Sequence, residues 1–164
     1  MRLVFENMKK TLPALNRRAI TEKDFSRAAQ CMKLKVFHVP LANNGYYVPQ
    51  ELSPLGAPCI FINQNLGSLE QLLVAVHELT HHVNHVALNR LLFSRETAIL
   101  SFDAKQERQQ HEKHEFEAAA ITAIALIPAT SLKTATPNLF DEARSSVFEK
   151  IWEMRLFVRS TYGI

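Results

Sequence analysis

The sequence predicts an α+β domain. Three short extended segments fall between residues 34 and 63, and two strongly apolar helical segments follow them, the first of which runs into a cluster of histidines. A chain of 164 residues, 47% apolar and 21% charged, has ordinary globular composition and fits one hydrophobic core. Residues 1–164 are therefore read as a single domain, without internal repeat, low-complexity tract or linker.

Residues 1–20 carry five basic side chains (Arg2, Lys9, Lys10, Arg17, Arg18) against one acid, Glu6, but no secretory apolar core or small-residue cleavage site. They are expected to form an N-terminal helix or arm. Thr21 is a good N-cap with Asp24 three residues on, and Ile20 and Phe25 stand where a hydrophobic staple would close, so a helix from Thr21 to about Met32 follows. "LKVFHVP" alternates apolar and polar residues up to Pro40, "NNG" supplies turn chemistry, and "YYVP" resumes an extended pattern. "CIFIN" reads as the third strand.

Ser68, with Gln71 three residues later, is expected to cap the next helix, on which Leu72, Val76, Leu79, Val83 and Val86 form an apolar stripe. Residues 72–76 are apolar all round, which places this helix in the middle of the domain. The polar run 101–114 is expected to be a solvated connection or the start of a surface helix. "EFEAAAITAIALIP" is a second buried helix, ended by Pro128. A C-terminal amphipathic helix is expected over 138–164, with Phe140, Val147, Ile151 and Met154 on one face.

The balance of 19 Lys plus Arg against 16 Asp plus Glu gives +3, a mild excess not gathered into one block, so direct nucleic-acid binding is not signalled. No apolar run approaches the roughly 18 residues of a membrane span. Cys31 and Cys59 are too few for a disulfide framework and are read as buried thiols of a reducing, cytoplasmic compartment.

The chemistry concentrates in "VHELTHHVNH", residues 76–85. His77 and His81 are four residues apart, so on a helix they project about 40° from one another with roughly 6 Å of rise and can grip one ion. Glu78 lies about 100° round from His77, beside an ion rather than on it, which suits a general base. Catalytic zinc needs a third protein ligand and an open position for water. One straight helix cannot bring His85 to the same ion as His77, being about 12 Å along the axis. His85 is read as a residue supporting the site or a helix-end cation, and His82 as an ordinary imidazole. The third ligand should be a carboxylate on the second buried helix, where Glu115 and Glu117 face about 200° apart. Glu115 shares a face with Ala118, Ala119 and Thr122, small residues that allow close approach, while Glu117 points away. Two imidazoles and two carboxylates in apolar surroundings would be costly without a cation to pair them.

"IFINQNLGSLEQLLVAVHELTHHVNH" followed by "EFEAAAITAIALIP" resembles the ImmA/IrrE family of small zinc metallopeptidases, in which a strand ending in "IN" precedes HExxH and then ExxA leading to a Pro. "ITEKDFSRAAQCMKLKVFHVPL" resembles the family's opening helix and strand. The resemblance implies Zn²⁺ held by His77, His81 and Glu115, with Glu78 as catalytic acid/base. It implies a small zincin-like fold, a three-stranded, mostly antiparallel sheet packed on the two metal-bearing helices. Ala119 is a departure, because related zinc peptidases often place Asn or Asp four residues after the ligand glutamate. The implied activity is attack of zinc-activated water on a peptide bond of a regulatory protein, such as a transcriptional repressor. "CIFIN" is expected to be the exposed edge on which the substrate pairs, and Tyr46, Tyr47, His111 and His114 are the candidates to steady the oxyanion. A rival expectation keeps zinc for folding alone, in an interaction module of a regulatory system. A third, hydrolysis of a non-peptide amide, follows from the same residues.

Overall fold

The computed structural model describes residues 1–84, 104–133 and 145–164, with side chains from 111 to 132 and from 149 onward in the last two stretches. His85, Val86 and Phe140 lie outside the described residues, and so does the Val147 side chain. Five α-helices and three strands are formed there: α1 (Arg2–Thr11), α2 (Glu22–Cys31), β1 (Lys35–Val39), β2 (Gly45–Val48), β3 (Cys59–Asn63), α3 (Ser68–Asn84), α4 (Ala104–Leu126) and α5 (Ser145–Tyr162).

The N-terminal segment is a packed helix, burying Val4, Phe5 and Met8 of α1. α2 starts as its cap predicts: the Asp24 backbone N–H donates to Thr21 Oγ1 at 3.4 Å and the Thr21 N–H donates back to the Asp24 carboxylate at 3.0 Å. Arg18 closes a two-pronged ion pair on the same carboxylate, at 2.7 and 2.8 Å. The start of α3 differs from expectation. Gly67 precedes the first helical residue, and its N–H donates to the Glu70 carboxylate at 2.9 Å, while the Gln71 side chain donates to the Leu66 carbonyl. The backward reach thus comes from Glu70, because the cap lies one residue earlier than Ser68.

The sheet has the order β1-β3-β2. β1 runs parallel to β3, from Lys35↔Cys59 to Val39↔Asn63, and β2 runs antiparallel to it, from Gly45↔Ile62 to Val48↔Cys59. The sheet is therefore mixed, and the antiparallel expectation holds for one of its two ladders. β3 occupies the centre, so "CIFIN" is not the exposed edge. Its near-continuous apolar run fits a strand covered on both faces, and Cys59, Ile60 and Ile62 are buried. Phe37, Phe61 and Tyr46 stack across the outer face, with ring centroids 5.2 and 5.0 Å apart.

The inner face packs on α3, which also touches α1, α2 and α4 and so runs through the middle of the domain. Met8, Leu15, Ile60, Ile62, Val76, Leu79, Ile121, Ile124 and Val158 are shared by one core. β2 lies unusually close to α3. A Cβ built on Gly45 would stand 2.5 Å from Val74 Cγ1 and 2.7 Å from the Phe61 carbonyl oxygen, so only glycine allows this approach. The polar run before Glu115 proves to be helical from Ala104, and α4 is ended before Pro128. Cys59 is buried as expected; Cys31, on the last turn of α2, is exposed.

One buried charge was not anticipated. Arg155 of α5 is fully buried and donates to the backbone oxygens of Ile127 and Ile164 and to Asn16 Oδ1, at 2.6, 2.7 and 2.9 Å. Asn16 Oδ1 also accepts the Ala129 N–H, so this guanidinium joins the end of α4, the C-terminal turn and the α1–α2 connection.

Candidate metal centre

α3 and α4 are neighbours, and their contact assembles the charged cluster. His77 and His81 project from the same side of α3, and Glu115 reaches them from α4. The two Nε2 atoms are 3.1 Å apart, His77 Nε2 is 3.2 Å from Glu115 Oε2, and His81 Nε2 is 3.3 Å from Glu115 Oε1. A tetrahedral ion with bonds of about 2.0–2.1 Å requires ligand atoms about 3.3 Å from one another. The two imidazole nitrogens and the carboxylate oxygens facing them are spaced on that scale, and one ligand atom from each residue can be taken with all three within 4.8 Å of one another. Their chemistry agrees, since two imidazoles and one carboxylate form a known catalytic zinc set that leaves one position open. Among the described residues this is the group of histidine, cysteine or acidic side chains placed to hold a metal ion.

The electrostatics follow from the placement. The Glu115 carboxyl is held well below the usual range, chiefly by hydrogen bonds from His77 and then His81, with partial burial opposing them. Glu78 moves the other way: burial raises its pKa, outweighing the attraction of His77 and His81 and a backbone hydrogen bond from Tyr47. Two carboxyl groups of one site are thereby pushed in opposite directions. Glu78 and His77 border a cavity of about 390 Å³ that extends between β2, α3, α4 and α5.

Glu117 faces elsewhere, buried and paired with the Met1 α-amino group at 3.2 Å. His82 is a packed imidazole, one of the two ordinary placements expected for it. Its Nδ1 lies 2.8 Å from the hydroxyl of the buried Tyr47, tying β2 to α3. Of the oxyanion candidates, Tyr46 is exposed in the aromatic stack on the outer sheet face. His111, one turn before Glu115 and largely exposed, comes within 3.9 Å of Glu115 Oε1. His114 is partly buried, which lowers its pKa. The Tyr47 tie could have been sought in the alternation of "GYYV", which sends Tyr47 inward and Tyr46 outward; its histidine partner, 35 residues away, carries no local signal.

A small mixed sheet laid on a helix that carries two histidines, with a carboxylate supplied by the next helix, makes this a small α+β, zincin-like domain with a candidate metal centre. The family comparison agrees: the Peptidase_M78 model, described as the IrrE N-terminal-like domain, matches residues 29–156, and the chain belongs to that family. Membership suggests a metallopeptidase. No curated protein matches the chain by sequence. No helix among the described residues is long and apolar enough to cross a membrane.

Proposed function

We propose that this protein is a zinc-dependent peptidase in which His77, His81 and Glu115 hold the metal and Glu78 carries the proton. The observation that supports it most is that two imidazole nitrogens of α3 lie 3.1 Å apart, with one Glu115 carboxylate oxygen 3.2 Å from the first and the other 3.3 Å from the second, so that ligands from two different helices meet at one point. When bound, the ion supplies Lewis acidity, lowering the pKa of a water and polarising the scissile carbonyl. Glu78 takes the proton of the attacking water as the new C–O bond forms and the carbonyl carbon becomes tetrahedral, then gives that proton to the amine nitrogen as the peptide C–N bond breaks. Its burial disfavours the ionised carboxylate, while the Tyr47 backbone N–H fixes its direction.

The substrate backbone pairs with the outer edge of β2, which no other described strand takes, not with β3. Asn63 N–H donates to the Asn44 carbonyl, so residues 44, 46 and 48 turn toward β3, and by alternation the backbone groups of Gly45 and Tyr47 face away from it, the Tyr47 N–H toward Glu78 and those of Gly45 toward an incoming chain. An extended peptide adds there as a strand. A protein substrate, in particular a transcriptional regulator, is the class the family resemblance supplies; no feature of the site selects it.

Glu78→Gln separates catalysis from metal binding. The variant should keep its zinc and lose peptide hydrolysis by about 10²–10⁴-fold. Full hydrolysis by Glu78→Gln would refute the assignment of the proton carrier, and unimpaired regulatory function by it would favour the interaction module.

A further inference from the structure

We propose that the cavity beside His77 and Glu78 is a specificity pocket for one aliphatic side chain of the substrate, of leucine or methionine size, with Ala119 forming its wall and Met154 its depth. The inference rests on the peptidase reading and adds the residue class that the site selects.

Three helices and β2 build the cavity. Leu73 and Val74 come from α3, Ala119 and Thr122 from α4, Ile151 and Met154 from α5. Its volume of about 390 Å³ lies in the range that holds a small organic group. Leu73, Val74, Ala119, Ile151 and Met154 make most of the lining apolar; the ionisable groups are His77 and Glu78 on α3 and the exposed Lys150 on α5. Thr122 adds no polar demand, because its hydroxyl is spent on the Ala118 carbonyl at 2.9 Å. Those apolar walls offer a charged side chain no hydrogen bond, whereas an aliphatic one removes its own surface and that of the walls from water.

Two further features make the cavity a part of the site. Ala119 stands one turn beyond Glu115 on α4, half-buried, and its single methyl group leaves open the space between the ligand and α5. Any larger residue at this position would fill it. Gly45 lies at the mouth, and the Tyr47 N–H is already engaged by Glu78. A peptide strand is therefore anchored opposite Gly45, which sets the side chain next to the reacting bond over the cavity. α5 supplies the far wall, held by the edge-on packing of Phe157 against Phe116 and by the Arg155 hydrogen bonds.

The test uses binding, not turnover. Four succinyl hydroxamates, alike except for a hydrogen, methyl, isobutyl or benzyl substituent beside the chelating group, are titrated calorimetrically into the zinc-loaded protein. The isobutyl compound should bind on the order of 10–100-fold more tightly than the unsubstituted one. Ala119→Leu should reduce that preference to less than about threefold while leaving the affinity of the unsubstituted compound in place. Met154→Ala should move the preference from isobutyl to benzyl. Equal affinity for hydrogen and isobutyl in the wild type, or an order unchanged in both variants, overturns the proposal. Digestion of a mixed peptide library is measured beside it. A side-chain preference without any cleavage would sink the peptidase reading and spare the pocket; cleavage without preference would do the reverse.

Discussion

Substitution of Gly45 by alanine tests how β2 is set against the catalytic helix. The added methyl would meet Val74 Cγ1 at 2.5 Å and the Phe61 carbonyl oxygen at 2.7 Å. Ordinary carbon contacts lie at about 3.5–4.0 Å, so the methyl is roughly 1 Å too close to Val74. Valine is stiff at χ1 and the Phe61 oxygen belongs to the central strand, so neither neighbour yields without moving backbone. Overpacking of this kind costs about 1–3 kcal/mol, against which the stiffer unfolded chain returns about 0.4–1 kcal/mol. A net loss of about 1–2 kcal/mol is expected in urea unfolding, with a fall in melting temperature of about 2–8 °C for a domain of this size. Val74→Ala removes the first clash and leaves the second. In the Gly45→Ala, Val74→Ala pair the double variant should therefore be less destabilised than the sum of the single ones, by about 0.5 kcal/mol or more. A Gly45→Ala protein as stable as wild type, or strictly additive effects, would refute the close-approach argument.

Other substitutions probe the frame that carries the site. Asp24→Ala removes the reciprocal cap of α2 and the Arg18 pair, and should cost about 1 kcal/mol at pH 7. Because the folded-state carboxyl titrates well below its unfolded value, that stabilisation is present above about pH 4 and is lost as the pH falls further, so wild type and variant should converge in acid unfolding curves. Arg155→Met leaves the backbone oxygens of Ile127 and Ile164 without this donor and Asn16 Oδ1 with the Ala129 N–H alone, and should lower the unfolding free energy by about 3 kcal/mol, measured by denaturant titration. Arg155→Lys should recover only part of it, since an ammonium cannot reproduce the planar fork.

What the sequence disclosed and what it hid divide along physical lines. The Thr21–Asp24 cap is a bargain between residues three apart, and it forms as the letters suggest. His77 and His81 meet because helical geometry makes positions four apart neighbours, and Glu115 is separated from Glu117 by the same arithmetic. The pairing partners of short strands are long-range and escape such rules: nothing local in "CIFIN" says that β1 would run parallel to it and β2 antiparallel. Arg155 was invisible for a related reason. An arginine on a surface-patterned helix is ordinarily solvated, and its three acceptors come from residues 9, 28 and 139 positions away. Cys31 failed the burial expectation because it ends α2 on the side turned to solvent, and a cysteine's usual preference for the interior says nothing about helix phase.

The convergence of His77, His81 and Glu115 on one cation is tested most directly by counting metal. Protein purified, dialysed against zinc and freed of loose ions should carry about one zinc per chain by plasma mass spectrometry. His77→Ala, His81→Ala and Glu115→Ala should each lose it, while Glu117→Gln, altered at the acid paired with the Met1 amine, should keep it. Zinc retained by Glu115→Ala, or lost equally from Glu117→Gln in a folded protein, would contradict the account.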